Sequence, residues 1–115
     1  MEQRRNRRFE LALPLSLTRS GAERLSLAGI TKNISSSGVL FTVPREPDLG
    51  GPIEYVIVLN LDGPQSVSLR CMGKVLRAER IGTSADKDRP SYQIAATLER
   101  YEFVRGVRGL GVSTV

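Results

Sequence analysis

Two clusters hold most of the groups in this chain that could bind or react. Arg4-Arg5-Asn6-Arg7-Arg8 lies near the N-terminus, and Asn33-Ile34-Ser35-Ser36-Ser37-Gly38 lies between the apolar runs Leu25–Ile34 and Val39–Val43. A guanidinium is a planar fork of donors that fits a phosphate or the acceptor edge of guanine. The hexapeptide offers complementary small groups. Asn33 brings an amide donor and acceptor and Ser35 a hydroxyl, while Gly38 lets the backbone turn through positive φ or approach a ligand without a Cβ in the way. Taken together, the two pieces read as one ligand site. Taken singly, an arginine-rich N-terminus is a solvated tail or a nonspecific nucleic-acid arm. Asn-x-Ser-x-x-Gly by itself is an ordinary polar turn.

Composition narrows the chemistry. The 115 residues suffice for one domain with a single core, and 17 Lys and Arg against 12 Asp and Glu give a net charge of +5, mostly from arginine. That excess favours an anionic partner and leans toward a nucleotide or nucleic acid. The chain has no His and one cysteine, Cys71. These absences remove His-based acid–base catalysis, Cys–His nucleophilic catalysis, most transition-metal sites and any internal disulfide, so no enzyme, metal or cofactor is expected. Cys71 reads as a small core residue suited to a reducing compartment. No apolar run approaches the ~18 residues of a membrane span, so the expectation is a cytoplasmic protein without membrane insertion.

The clusters need elements to hold them. Residues 1–8 contain no core-forming residue after the initiator and repel one another, which predicts a mobile basic arm. Phe9, Leu11, Leu13, Leu15 and Leu17 alternate with smaller or polar residues and predict a strand to about Thr18. Arg19 to Glu23 is a hairpin connection. A second strand starts at Leu25 and Leu27 and shifts phase at Ala28-Gly29, so that Ile30 and Ile34 continue its apolar set, a bulge signature. Val39–Val43 forms a third strand, and Pro44 to Pro52 a loop. Ile53–Asn60, almost wholly apolar, reads as a strand covered on both faces. Residues 65–78 form one long strand bent at Gly73. After a polar stretch from Gly82 to Pro90, Tyr92, Ile94, Ala96 and Leu98 mark the last strand. Residues 99–108 then offer one apolar stripe, Leu98, Tyr101, Phe103, Val104 and Val107, suited to a short helix on the sheet, before a frayed tail over 109–115. The expected architecture is all-β. It is a six-stranded antiparallel barrel over 9–98 with a basic arm and a C-terminal helix, in one domain spanning 1–115.

At this point the sequence resembles the PilZ domain, the bacterial receptor module for cyclic di-GMP. The resemblance rests on Arg4-x-x-x-Arg8 directly before an alternating strand and on Asn33-x-Ser35-x-x-Gly38 at the end of the second. Gly73-Lys74-Val75-Leu76-Arg77 and Tyr92-Gln93-Ile94-Ala95-Ala96 are similar to the family's later strands. The resemblance implies a ligand site in which Arg4 and Arg8 grip guanine and phosphate while Asn33, Ser35 and Gly38 form the barrel-side floor. Arg5 and Arg7 fall between the motif positions, either as solvated charge or as further phosphate partners. Arg70, Lys74 and Arg77 read as strand-surface charge. Many family members carry an arginine just before the pair, associated with holding a stacked dimer of the ligand. Here that position is Gln3, which leaves the ligand count per site, one or two, open.

Half the expected site lies on an arm with no means of ordering itself and half on a barrel, which predicts a ligand-ordered adaptor that signals to a protein partner, with no specific nucleic acid. Two alternatives stand beside it: a small barrel that binds RNA or single-stranded DNA, and a PilZ-like interaction domain that does not bind the nucleotide. A nucleic-acid barrel usually exposes aromatics for base stacking, whereas Phe9, Phe41, Tyr55, Tyr92, Tyr101 and Phe103 fall mostly on expected core positions.

Overall fold

The structure, a computed structural model, describes residues 8–60, 65–81 and 91–107. The expected mobility of residues 1–7 and the polar stretch 82–90 lie outside these residues. Seven strands form one antiparallel sheet: β1 (Pro14–Ser20), β2 (Glu23–Ile34), β3 (Gly38–Val43), β4 (Pro52–Asn60), β5 (Gln65–Arg80), β6 (Tyr92–Thr97) and β7 (Arg100–Val107). Their order is β4-β1-β2-β3-β6-β5-β7, and a further β4–β5 pairing closes the first six into a barrel. Closure removes the edges that an open sheet would have to protect.

The core follows from period-two alternation. Leu15 and Leu17 of β1, Val39, Phe41 and Val43 of β3, Ile53, Tyr55 and Ile57 of β4, Cys71 and Val75 of β5, and Ile94 and Ala96 of β6 all point inward and are buried. β4 is paired on both edges, but only its odd residues are fully buried, so it is covered on one face rather than two. Phe41 and Tyr55 pack with ring centroids 5.4 Å apart, and the Tyr55 hydroxyl donates to the Thr97 carbonyl at 3.0 Å. Of the aromatics expected mostly in the core, these two are buried and Tyr92 is half-buried, but Phe9, Tyr101 and Phe103 are exposed.

Gly73 lies where β5 changes partner, from β7 (Met72 opposite Arg100) to β6 (Val75 opposite Ala96). The Thr97 backbone passes so close that a Cβ on Gly73 would overlap its carbonyl. The bulge expected at Ala28-Gly29 lies elsewhere. Those two residues pair regularly with Ser16 and Leu15, and the register shifts between Thr31 and Asn33 against β3. Ile30 therefore faces solvent and Thr31 takes the inward place.

The predicted C-terminal helix is replaced by a strand. Residues 100–107 pair along 65–72 of β5 and continue the line of β6 past Leu98 and Glu99. Tyr101, Phe103 and Val104 are β-formers, and an unpaired first half of β5 would leave a row of backbone groups unsatisfied. Strand pairing satisfies them; a helix lying on the sheet would not. Among the described residues no helix is long and apolar enough to cross a membrane.

Burial pushes the Cys71 thiol up to about 12 from an ordinary 9.0. Burial likewise raises the Tyr55 hydroxyl, with the neighbouring Cys71 and Glu99 adding to the effect. The folded state thus holds both protons more tightly than the unfolded chain does. Their contribution to stability is complete below pH ~9 and is lost as pH climbs toward the folded values. The melting temperature is expected to fall progressively above pH ~9, with a shallower fall in Cys71→Ala; identical slopes in thermal melts from pH 8 to 11 would contradict this.

Candidate functional site

Site geometry begins with the β2 bulge. Without the register shift at Lys32, Asn33 would share the inward phase of Thr31. With it, Asn33 lies opposite Leu40 on the outer face, and Ile34 turns inward opposite Val39. The outer row then runs Asn33, Leu40, Ala95, Arg77 across β2, β3, β6 and β5. Directly opposed residues project to one face, so an amide and a guanidinium flank a shelf made of a leucine and an alanine. Beside this row, Lys32 Nζ lies 3.4 Å from Gln93 Oε1, and a second register shift leaves Leu76 exposed.

Residues 35–38 form a turn that Ser35 locks from within. The Ser35 N–H donates to the Gly38 carbonyl at 2.9 Å, and Ser35 Oγ accepts from the Gly38 and Ser37 N–H groups at 3.2 and 3.3 Å. The same hydroxyl lies 3.2 Å from the Gly38 carbonyl oxygen, so its hydrogen-bonding capacity is largely spent within the turn. The Leu98 N–H donates to the Ser37 carbonyl at 2.9 Å and ties the turn to the end of β6. Gly38 has no positive φ. It is needed for a close approach, but to the protein itself: a Cβ there would lie 2.8 Å from the Ala96 carbonyl oxygen.

The arm meets this rim through its base. Phe9 and Ile34 exchange both backbone hydrogen bonds, at 2.8 and 2.9 Å, which sets Arg8 beside the Ser35 turn. Between that bridge and β1, the chain from Phe9 to Leu13 runs along β2, held by the side chain of Thr31 rather than by a regular ladder. Thr31 is 1% exposed. Its Oγ1 accepts from the Leu13 N–H at 2.9 Å and donates to the Leu11 carbonyl, while its N–H donates to the Leu13 carbonyl at 3.0 Å. The expected strand from Phe9 accordingly begins only at Pro14, and Phe9 and Leu11 are exposed.

Of the site residues expected from the sequence, Arg8, Asn33, Ser35 and Gly38 come together on one stretch of rim. Arg4, Arg5 and Arg7, with Gln3, lie outside the described residues. Arg70 is engaged elsewhere, 3.2 Å from Glu102 and 3.8 Å from Glu54. Sequence reasoning missed Thr31 and the place of Arg77 in the outer row. The signal for Thr31 was present: Leu25, Leu27, Gly29 and Thr31 continue one alternation, which marks position 31 as inward.

A closed barrel with a serine-locked turn at its rim and Arg8 set beside it by the Phe9–Ile34 bridge is a module that presents polar groups on a rigid frame. Among the described residues, no three His, Cys, Asp or Glu come close enough to hold a metal. The PilZ domain family model matches residues 2–101, and the chain belongs to that family. PilZ domains are binding and adaptor modules, and the family is generally a receptor for cyclic di-GMP. No curated protein matches the chain at a significant level.

Proposed function

We propose that this protein is a cyclic di-GMP receptor whose arm, Arg4 to Arg8, closes over the rim at Asn33–Gly38 and whose changed surface is read by a protein partner. The observation that carries this reading is the pinning of Phe9 to Ile34, which holds the last arginine of the arm beside the Ser-locked turn. Cyclic di-GMP has two phosphates and two guanines. It calls for bidentate cationic forks, flat faces for stacking and small polar groups that allow close approach. Arg4 and Arg8 supply the forks, the Leu40–Ala95 shelf a flat apolar face, and Asn33 an amide that makes no hydrogen bond among the described residues. Arg77, at the far end of that row, is placed to meet a phosphate. Ser35 and Gly38 act by shaping the turn, given how their own groups are committed. The switch follows from composition: an arm of like charges with no core residue cannot order itself, so a ligand that bridges it to the rim orders it.

Isothermal titration of the intact chain with cyclic di-GMP tests the receptor reading. Saturable binding is expected, and its stoichiometry counts the ligands per site that Gln3 leaves open. No heat at high ligand concentration would sink the receptor and leave a PilZ-like interaction domain. Proton exchange at the arm amides tests the switch, since equal protection with and without nucleotide would contradict it.

Thr31 gives a separate prediction. Thr31→Val keeps the shape but removes Oγ1, leaving the Leu13 N–H and the Leu11 carbonyl without that partner. A loss of about 1–2 kcal/mol in stability is expected. Binding of cyclic di-GMP should weaken about tenfold, because the arm base is no longer held at the rim. Thr31→Ser keeps the oxygen and should restore affinity. If Thr31→Val melts lower yet binds as tightly as the parent, the clamp serves the fold and not the site.

A further inference from the structure

β7 differs from every other strand in having a neighbour on one side only: among the described residues it pairs with β5 and nothing else. The register shows which of its faces matters. Ile57, Leu69 and Phe103 lie in one row, and Tyr55, Cys71 and Tyr101 in the next. Opposed residues share a face, so the lining of the core runs out past the closed wall and ends on two aromatics in solvent. Tyr101 is 59% and Phe103 64% exposed, and their rings meet edge to face at 6.2 Å. Paired aromatics beside a strand edge with free backbone groups are a template for further strand pairing.

We infer that β7 is a self-association edge, on which a second copy of this chain pairs β7 against β7 in antiparallel fashion about a two-fold axis at Phe103. Such an axis stands perpendicular to the sheet and keeps each face on its own side, so a residue can oppose only residues of its own parity. Few registers satisfy that condition. Centring on Glu102 or Arg105 sets like charges against each other, and centring on Tyr101 overlaps only the first three residues of β7. Centring on Phe103 overlaps almost the whole strand. It sets Phe103 against its own copy and each Tyr101 across from the partner's Arg105, where a guanidinium can lie on the ring. On the opposite face Glu102 meets the partner's Val104, and no like charges face each other. Centring on Val104 overlaps as much but loses the aromatic pair.

A strand edge of this length with one exposed aromatic pair per copy falls below the ~1,600 Å² of a standard stable interface, so association is expected at micromolar rather than nanomolar concentration. The inference does not depend on the nucleotide reading.

Light scattering and sedimentation of the intact chain over a range of concentrations test it, together with three variants at exposed positions. The expected results are a concentration-dependent dimer, a monomer for Phe103→Glu with unchanged circular dichroism, and a disulfide-linked dimer on oxidation of Phe103→Cys but not of Val104→Cys. Cys71 is buried and does not compete in the oxidation. A monomer at every concentration would overturn the inference, as would a dimer indifferent to Phe103→Glu. Cross-linking through Val104→Cys in place of Phe103→Cys would overturn the register. Binding of a random single-stranded oligonucleotide that Phe103→Glu abolishes would assign the face to base stacking instead.

Discussion

Replacing Arg4 and Arg8 together by alanine is expected to weaken cyclic di-GMP binding by a hundredfold or more while leaving the barrel intact. Each arginine fork on a guanine edge or phosphate is worth roughly 1–3 kcal/mol, and every 1.4 kcal/mol is tenfold in affinity. The loss should fall on binding and not on folding. Arg8 is exposed and is held by no ion pair among the described residues, and the chain enters the core only at Leu13 and beyond. Arg70→Ala is the matched control, since its charge is taken up by Glu102 and Glu54 on the outer face of β4, β5 and β7. Isothermal titration of both variants, with circular dichroism as the check on fold, gives the comparison. Because Arg70→Ala removes one charge and the double variant two, a loss in Arg70→Ala about half as large in free energy would mean that the nucleotide responds to net charge alone, and the arm would lose its special role. Retained affinity in the double variant would place the ligand elsewhere.

The turn that forms the barrel-side half of the candidate site was largely legible in the sequence, because its residues are consecutive and the turn closes on itself. Ser35 to Gly38 needs no distant partner to form, and the alternation of Val39, Phe41 and Val43 fixes where β3 starts. The way the arm is held was not legible. Thr31 clamps Leu11 and Leu13, 20 and 18 residues away, through a side chain that sequence alone presents as one more polar strand residue. The bulge escaped for a related reason. A phase shift somewhere between Leu27 and Ile34 is plain from the pattern, but Ile30 looks inward by hydrophobicity and is turned out by pairing with Thr42. The bulge sits at Lys32 and not at Ala28-Gly29; either position faces Asn33 outward, but only the observed one turns Ile30 out and Thr31 in, so the small error in position concerned the clamp on the arm.

The C-terminal strand shows a different limit. Leu98, Tyr101 and Val104 fit a helical stripe, while Tyr101 and Phe103 fit a strand, and eight residues cannot decide between the two periods. In a buried strand, alternating burial would have sharpened the polarity of the other face. β7 overhangs the barrel, both its faces are exposed along 100–105, and its sequence carries little of that mark. The choice was made by β5, whose first half needs a partner on its second edge.

That same junction between β6 and β7 sets the largest expected effect on stability, from Gly73→Ala. A Cβ at position 73 would run into the carbonyl of Thr97 and come within 2.8 Å of its Oγ1. Neither group is free to retreat. The Thr97 carbonyl accepts from the buried Tyr55 hydroxyl at 3.0 Å, and Thr97 Oγ1 accepts from the Lys74 N–H at 2.8 Å while lying 2.8 Å from Glu99. Making room for one methyl group must therefore part β5 from the end of β6, where the sixth strand joins the barrel, and must also loosen the hydrogen bond that satisfies Tyr55. Overpacking of this kind typically costs about 1–3 kcal/mol, and the loss of a buried hydroxyl's partner adds about 1–3 more. For a chain of this size the melting temperature should fall by ~15 °C or more. Gly51→Ala is the comparison, because a Cβ there makes only ordinary contact with Asp48 at 3.5 Å, and it should change stability by no more than ~0.5 kcal/mol. Thermal and urea unfolding of the two variants decide the matter. A Gly73→Ala protein that melts with the parent would mean that β5 and β6 can separate at Thr97 without loss, and that closure of the barrel there contributes little to its stability.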